Sequence, residues 1–423
     1  MRVGLLGMGT VGVEVARGLM EKAPLLSERA GAAIELAVVA VRHPQQPRAV
    51  DLRGVPIIAD ASAVVGDPSL DIIVELIGGE SPAGDLIAIA LRAGRAVVTA
   101  NKAVIARRGP ELTELARGRA PLRYEAAVGG GMPIIALLRE GLRGERVHSL
   151  DSVINGTTNF IIDRMAADGI TLDTAVSEAQ SLGFAEADPS ADLDGEDAAA
   201  KLSIMAWLAF GTHVDPGAID TTGIREIDPA DIGHARDLGY AVRLVARGRR
   251  TSTSVSLGVG PALVPLSHPL ASVAGAGNRV VLEGDLVGAV VLSAAGAGGR
   301  ATASAILSDL VTVARMREAG VADDPPPVGP LPVLEAGDAE TGAYLRLETA
   351  AAPEAAGTVA LMLQDRGVAV DGIAELPAGD ERGCQLICLT APAPRGILRG
   401  ALETLDTLPI VRRLAACLDR LTE

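Results

Sequence analysis

Three glycines near the N-terminus constrain the fold of this chain more than any other feature. Gly7, Gly9 and Gly12 form the pattern GMGTVG directly after the apolar run Val3–Leu6 and at the start of a helical stretch. In that context the first glycine allows a tight turn, the second lets a pyrophosphate approach the backbone, and the third lets the helix pack closely on the strand. The pattern predicts a dinucleotide-binding turn with the phosphates at the helix N-terminus. A glycine-rich turn without a ligand is the alternative.

The first 125 residues continue as short apolar runs that alternate with helical stretches. Such runs are typical of strands buried on both faces, so they predict an α/β fold with a doubly wound parallel sheet of the Rossmann type. The expected strands are Val3–Leu6, Ile34–Val41, Ile72–Ile77, Ala96–Thr99 and Leu122–Tyr124.

The pattern changes beyond the glycines at 129–131. It predicts a helix at 132–143, then a central α+β domain with an antiparallel sheet, and a long helix at 299–316. Near the C-terminus, the order β-α-β-β-α-β predicts a small ferredoxin-like domain. The expected domains are a dinucleotide-binding domain at 1–128 with 299–320 packed back on it, a substrate-binding domain at 129–298, a Pro-rich linker at 321–340 and a last domain at 341–423.

Composition restricts the partners and the chemistry. A net charge of −15 argues against nucleic acid or an anionic membrane as a partner, because both need clustered Lys and Arg. No apolar run reaches the roughly 18 residues that a membrane-spanning helix needs, so we expect a soluble, cytoplasmic protein. Cys384, Cys388 and Cys417 all lie in the last forty residues, which excludes a thiol nucleophile from the first 383 and makes a disulfide framework unexpected.

The end of the second predicted strand, VAVRH (39–43), lacks the acidic residue that usually binds the ribose 2′-hydroxyl of NAD. Arg42 stands there instead and can contact a 2′-phosphate, which favours NADP. An exposed arginine without a role is the alternative.

Two other segments contain candidate binding residues. One follows a predicted strand, and the other follows the first domain. Lys102 closes the segment VTANK (98–102), where it can bind a carboxylate or phosphate or polarise a carbonyl. An exposed lysine that starts a helix is the alternative. The segment EAAVGGGM (125–132) contains three glycines in a row, and carbonyl groups exposed in such a turn can bind a hard monovalent cation.

The stretch Gly183–Lys201, GFAEADPSADLDGEDAAAK, holds six carboxylates and ends in its one lysine. Asp197 and Lys201 are spaced i, i+4 and share one helical face, while Glu186 and Asp192 lie on the loop before that helix. Such loop carboxylates can hold a substrate ammonium while the lysine serves as acid. An ordinary ion pair between Asp197 and Lys201 is the alternative.

Together these segments resemble homoserine dehydrogenase. The matching segments are GMGTVG (7–12), VELIGG (74–79), VTANK (98–102), EAAVGGGMPI (125–134), INGTTNFI (154–161), the acidic stretch (183–201), HPLASV (268–273) and GAGGRATASAILSDL (296–310). They follow the family's order over most of residues 1–320. The C-terminal segment is similar to an ACT domain, a module that commonly binds amino-acid effectors.

The resemblance implies NAD(P)-dependent interconversion of L-aspartate 4-semialdehyde and L-homoserine, in the biosynthesis of threonine, methionine and isoleucine. It implies Lys201 as proton donor, with Lys102 as a rival. Glu186 is expected to bind the substrate amino group, supported by Asp192 and Asp197. The residues expected to bind the cofactor, NADP or NAD, are Gly7, Gly9, Thr10, Val11, Gly12, Arg42, Thr99, Lys102 and Gly298. The positions that match a monovalent-cation site, for Na or K, are Glu125, Val128, Gly130 and Met132.

The resemblance further implies a homodimer or homotetramer, assembled through the central domain, and threonine as the candidate effector. ACT domains typically begin their first helix with Pro-Gly after an acidic residue, and these features support effector binding. This chain reads Ala351-Ala352-Pro353-Glu354, so both features differ.

Two other classes of protein compete with this interpretation. A catalytically silent amino-acid sensor would not need the intact set Lys102, Glu186, Asp192, Asp197 and Lys201. An aspartate-semialdehyde dehydrogenase would need an active-site cysteine, and the first 383 residues contain none.

Overall fold

The computed structural model describes residues 1–296, 298–321, 323, 329, 331–350, 352–377 and 383–422. It divides into two compact units. Unit 1 contains Met1–Arg146, Ala200–Pro216 and Leu292–Pro330, and unit 2 contains Val147–Ala199, Gly217–Val291 and Leu331–Glu423. The domain bounds given above are a finer division and stay predictions. Seven residues of the expected linker at 321–340 lie outside the described set, at 322, 324–328 and 330.

The α-helices of the described residues are α1 Thr10–Glu21, α2 Ala23–Ala30, α3 Ala61–Gly66, α4 Ala83–Arg92, α5 Lys102–Ala116, α6 Ile134–Ala136, α7 Gly156–Asp168, α8 Leu172–Ser181, α9 Ser190–Leu193, α10 Glu196–Phe210, α11 Pro229–Asp237, α12 Gly299–Ala319, α13 Ala355–Asp365 and α14 Arg395–Leu405. The strands are β1 Arg2–Leu6, β2 Glu35–Ala40, β3 Ile57–Ile58, β4 Ile72–Glu75, β5 Ala96–Thr99, β6 Leu122–Arg123, β7 Val147–Val153, β8 Asp220–Thr221, β9 Tyr240–Arg250, β10 Val255–Pro265, β11 Gly277–Gly284, β12 Gly288–Ala295, β13 Glu340–Ala350, β14 Val370–Pro377, β15 Gly383–Thr390, β16 Ala393–Pro394 and β17 Val411–Arg420.

The sheet of unit 1 is parallel, with the order β3-β2-β1-β4-β5-β6 among the described residues. This confirms the predicted Rossmann-type sheet. The chain crosses from one side of β1 to the other between β3 and β4, so β1 and β4 flank the switch point where such sheets bind ligands. The central strands β1, β4 and β5 are buried on both faces, as their continuous apolar runs require.

Several details of unit 1 differ from the sequence prediction, among them the unpredicted helices α2 and α3. β4 ends at Glu75 rather than Ile77, because the backbone N–H groups of Ile77 and Gly78 donate to the Glu75 carboxylate instead of continuing the strand. The prediction of one continuous helix at 132–143 is also wrong. The α-helix covers Ile134–Ala136 only, and a π-helix follows at Leu137–Gly141.

The main sheet of unit 2 is mixed. Its strands follow the order β12-β11-β7-β9-β10-β17-β13-β15-β14, with β8 beside β10 and β16 beside β13. The expected antiparallel pairing holds for β11, β7, β9 and β10. Beyond β10 the sheet departs from that expectation, because β17 pairs with β10 in parallel through Ala262↔Asp419 and Leu263↔Arg420.

The C-terminal segment has the predicted order of elements, β13-α13-β14-β15-α14-β17. Its strands are antiparallel, with β13 central between β17 and β15. Its own core packs α13 and α14 on this sheet through Val359, Leu363, Leu398 and Leu405. The segment is therefore continuous with the central strands through β17.

A buried charged cluster also joins the C-terminal segment to the helix α11 within unit 2. Asp231 on α11 is 1% exposed and accepts hydrogen bonds from the Tyr344 hydroxyl at 2.8 Å and from the Arg346 guanidinium at 2.6 and 3.0 Å. Burial and the neighbouring Asp231 raise the pKa of Tyr344, so its hydroxyl stays protonated and donates. Removing one member of such a buried pair costs about 3–5 kcal/mol, because the other charge is left uncompensated. The cluster therefore resists separation of β13 from α11.

None of the helices in the described part of the chain combines the length and apolar character needed to cross a membrane.

Candidate active site

The glycine-rich turn after β1 has the geometry that its pattern predicts. Gly7 has φ +94°, and a Cβ there would lie 2.5 Å from the Leu76 carbonyl oxygen. A Cβ on Gly12 would collide with the carbonyl oxygen of Gly7. These two positions therefore require glycine. Gly9 differs, because a Cβ there would meet no protein atom within 4 Å, which leaves open space above the turn.

Two helix N-termini meet at this turn. α1 starts at Thr10 after Gly9, and no side chain caps it. α12 starts after Gly298, which has φ +122° and likewise provides no side-chain cap. A Cβ on Gly299 would lie 2.8 Å from the Thr10 carbonyl oxygen, so the two helix starts are in close contact. Helix N-termini attract anions through their unpaired N–H groups, and this pair forms a favourable place for phosphates.

Two arginines lie on the loop after β2. Arg42 is exposed, and within the described residues it makes no hydrogen bond or ion pair. Arg48 was not predicted. Its Nη2 donates to the His43 carbonyl at 2.9 Å and its Nη1 to the Met8 carbonyl at 3.5 Å, while its buried Nε has no partner among the described atoms. Arg48 thus reaches from this loop to the glycine turn, a contact that no local sequence signal reveals.

The ends of β4 and β5 are tied by buried polar side chains. The fully buried Glu75 carboxylate accepts from the Thr99 hydroxyl at 2.7 Å, and the Thr99 oxygen accepts from the Asn101 N–H at 2.9 Å. The Asn101 amide donates to the Gly79 carbonyl at 2.7 Å, and its oxygen caps α5. Lys102 is the first residue of α5, so this network sets the position of its backbone at the carboxyl end of the sheet.

The glycine-rich turn at 125–132 is buried except at Gly131. Glu125 accepts hydrogen bonds from the N–H groups of Ile135 at 2.9 Å and Ala136 at 2.7 Å, and its own N–H donates to Asp309 at 2.9 Å. Within the described residues the carbonyl oxygens of Val128 and Gly130 accept no hydrogen bond, although both residues are buried. The Met132 carbonyl accepts from the Ile134 N–H at 2.8 Å. Two buried carbonyls and a carboxylate are oxygen ligands of the kind that a hard monovalent cation takes.

Burial dominates the electrostatics of this turn. It raises the pKa of Glu125 to about 7 and that of Asp309 to about 7. Each of these carboxyls is costly to ionise without a compensating positive charge nearby. The turn thus fits a bound cation in both its oxygen ligands and its charge.

The acidic stretch is divided among short elements. In unit 2, α9 holds Asp192, and the first turn of α10 holds Asp197. α10 continues from unit 2 into unit 1, where it holds Lys201, one turn after Asp197 along the helix. Asp197 is buried and Lys201 half-buried.

Asp192 and Asp197 are brought together by a residue that was not predicted. The side-chain amide of Asn155 donates to Asp192 at 2.6 Å and to Asp197 at 2.8 Å. The motif INGTTNFI (154–161) includes Asn155, but a role for it depends on contacts 37 and 42 residues away in sequence.

The other carboxylates of the stretch have different environments. Asp194 forms a bidentate ion pair with Arg225 at 2.5 and 3.0 Å, which lowers the pKa of Asp194. Asp188 accepts from the Ser190 N–H at 3.1 Å, and hydrogen bonds to Ser190 lower its pKa. Glu186 is exposed, and its carboxylate has no protein partner among the described residues. Its backbone is held by Gln180, whose amide donates to the Glu186 carbonyl at 3.1 Å. Glu186 is thus available to a ligand.

The described residues contain no group of three or more His, Cys, Asp or Glu side chains arranged to bind a metal.

Comparisons with known proteins give one consistent result. The family model described as homoserine dehydrogenase, NAD binding domain, matches residues 7–121, and the model described as homoserine dehydrogenase matches residues 133–311. The chain is similar to homoserine dehydrogenase from Synechocystis sp., with 38% identity over 432 residues covering 98% of each chain. A solved homoserine dehydrogenase from Thiobacillus denitrificans has a TM-score of 0.94 and 36% identity, covering 100% of this chain and 98% of that one. A hyperthermophilic archaeal homoserine dehydrogenase, solved in complex with NADPH, has a TM-score of 0.64 and 31% identity, covering 74% of this chain and 97% of that one.

We predict that Gly9→Ala folds normally but weakens dinucleotide binding by about tenfold or more, because the added methyl group occupies the space above the turn that a pyrophosphate needs. Binding is measured by fluorescence titration with the reduced dinucleotide. Gly66→Ala is the matched control, since its Cβ would also meet nothing within 4 Å but lies at the end of α3. Equal affinities in the two variants would contradict the assignment of this turn.

Proposed function

The chain belongs to the homoserine dehydrogenase family, and we propose that it catalyses the reversible, NADP-dependent reduction of L-aspartate 4-semialdehyde to L-homoserine. The family match over nearly the whole chain is the observation on which this reaction assignment rests. The fit of the Rossmann-type sheet and its glycine turn to a dinucleotide supports the same conclusion.

NADP as the cofactor is supported by charge at the loop after β2. Arg42 is exposed and unpaired among the described residues, Arg48 contacts the glycine turn, and no acidic residue stands at 39–43 to bind a ribose 2′-hydroxyl. A guanidinium suits a 2′-phosphate because it offers several donors in a planar fork. The NADPH complex of the archaeal relative adds support from a related protein.

We assign substrate recognition to the acidic stretch. Glu186 binds the substrate ammonium, and Asp192 and Asp197 support the substrate site. The exposed, unpaired carboxylate of Glu186 and the shared amide donor of Asp192 and Asp197 support these roles. The ion pair of Asp194 with Arg225 favours a structural role for Asp194.

Lys201 serves as the proton donor to the aldehyde oxygen during reduction, and as the proton acceptor in the reverse direction. When bound, the nicotinamide supplies the hydride. A lysine ammonium also stabilises the alkoxide charge that develops on that oxygen. Lys102, at the start of α5, is the rival for this role and contributes to cofactor binding together with Thr99 and Gly298.

A monovalent cation, Na or K, binds at Glu125, Val128, Gly130 and Met132. The two buried carbonyls without hydrogen-bond partners among the described residues support this assignment. The cation would neutralise the buried carboxylate of Glu125 and stiffen the glycine-rich turn.

Self-association through residues 129–298 is supported by β12, which forms an edge of the sheet and leaves Val291 46% exposed. The turn before it exposes Leu286 and Val287. Unpaired edges and apolar exposed side chains are typical of interfaces between subunits. A homodimer or homotetramer is therefore our proposal for the assembly.

Residues 341–423 form an ACT-like regulatory domain that binds an amino-acid effector, with threonine as the candidate. The β-α-β-β-α-β order and its antiparallel strand arrangement support this. The altered helix start includes Ala351, which lies outside the described residues, and Glu354, which precedes α13 without providing a side-chain cap.

The reaction and the proton donor are tested together by Lys201→Ala. We expect the parent protein to oxidise homoserine with NADP. The kcat of the variant should be about 10²–10⁴-fold lower than that of the parent, because a general acid–base group is missing. Dinucleotide affinity should stay unchanged. Absence of homoserine oxidation in the parent would refute the reaction, whereas near-normal turnover in the variant would transfer the acid role to Lys102 or water.

Arg42→Ala should weaken NADP binding by about tenfold and leave NAD binding nearly unchanged, because only NADP has a 2′-phosphate for the guanidinium to contact. Kd values for both dinucleotides measure this. Arg29→Ala, on the last turn of α2, is a control for general loss of positive charge. Equal weakening of NADP and NAD in Arg42→Ala would exclude the 2′-phosphate contact.

Threonine added to the homoserine oxidation assay should lower the rate of the parent protein, since effector binding to the C-terminal domain would shift the enzyme to a less active state. Serine at the same concentration is the control. A rate independent of threonine at all concentrations would remove threonine as the effector.

A further inference from the structure

Asn155 occupies a junction of three helix starts in unit 2. It is the N-cap residue of α7, and it is 4% exposed. Its side chain also contacts Asp192, on α9, and Asp197, in the first turn of α10. One small amide therefore connects the two carboxylates that support the proposed substrate site.

The orientation of the Asn155 amide follows from its contacts. Its Oδ1 accepts from the Thr158 backbone N–H at 2.8 Å, and a backbone N–H can only donate. Nδ2 must therefore face Asp192 and Asp197, which it contacts at 2.6 and 2.8 Å. An amide has one acceptor oxygen and two N–H donors, so Asn155 uses all of these in a single arrangement.

This arrangement holds two like charges next to each other. Carboxylates that share one site repel, and burial increases the repulsion because the local dielectric constant is low. The Asn155 N–H groups compensate part of that cost and fix one oxygen of each carboxylate.

We propose that Asn155 is a positioning residue for substrate binding, which fixes Asp192 and Asp197 in the geometry that receives the substrate. The inference rests on the proposed role of these two carboxylates. Few other side chains can replace Asn155. Serine can cap α7 but has a single donor for two carboxylates, and aspartate can cap α7 but adds a third negative charge.

These differences separate the capping role of Asn155 from its positioning role. Asn155→Ser retains a good N-cap, so its melting temperature should change little. Asn155→Asp also retains the cap, but its third negative charge should lower the melting temperature, so this variant is compared through its pH profile. Each should raise the KM for homoserine by about tenfold or more. The Kd for NADP should be unaffected, since the hydrogen bonds of the Asn155 side chain go to Asp192, Asp197 and Thr158 rather than to the glycine turn.

The pH profile gives a second readout for Asn155→Asp. The introduced carboxyl can donate a hydrogen bond only when it is protonated, so its kcat/KM relative to the parent should increase as the pH falls. A purely structural loss would leave that ratio constant with pH.

The matched control is Asn159→Ser, on the same helix. Asn159 is also buried and donates to the Gly275 carbonyl at 2.6 Å, without contact to either carboxylate. We expect its KM for homoserine to match that of the parent. An increase in KM equal to that of Asn155→Ser would attribute the effect to general loss of a buried amide and overturn the proposal.

Asp197→Asn distinguishes failure of this inference from failure of the proposed substrate site. A raised KM in Asp197→Asn with an unchanged KM in Asn155→Ser overturns the positioning role alone. An unchanged KM in both variants overturns the substrate site and the positioning role together. A raised KM in both, with the pH-dependent ratio in Asn155→Asp, supports the inference.

Discussion

Buried backbone N–H groups at chain reversals are the constraint on which this structure depends. A buried N–H without an acceptor costs about 1–3 kcal/mol, so each tight turn inside the protein needs an acceptor within reach. Glu75 accepts from two N–H groups after β4, Glu125 accepts from two at the start of α6, and Asn155 accepts from one at the start of α7. Glu125 is itself a proposed cation ligand, Glu75 contacts Thr99 of the proposed cofactor site, and Asn155 contacts Asp192 and Asp197 of the proposed substrate site. The same side chains therefore stabilise these turns and contact or form the proposed sites.

The sequence predicts the parts of this fold that depend on local patterns. The apolar runs and the glycine spacing lead to the parallel sheet, and the structure confirms it. The end of β4 and the π-helix at Leu137–Gly141 were not predictable in the same way. The end of β4 depends on where the buried Glu75 carboxylate points, and apolar periodicity contains no information about that. The short helices α2 and α3 were not predicted, because each has only a few apolar residues on its buried face.

The acidic stretch shows the same limit at the level of the site. Its six carboxylates are alike in sequence. The structure divides them by partners distant in the chain, since Arg225 neutralises Asp194 and Asn155 holds Asp192 and Asp197. Partners of this kind are set by tertiary packing, and spacing alone does not reveal them. The resemblance to a family predicts which carboxylates bind the substrate, and their different environments become visible only in the fold.

The parallel pairing of β10 with β17 has a consequence for anyone who wishes to shorten this protein. Removal of the C-terminal segment would uncover the backbone donors and acceptors around Ala262 and Leu263. An open, apolar strand edge invites pairing with another chain, and so favours aggregation. A truncated protein would therefore need a charged residue or a proline along β10, so that this edge does not pair with another chain.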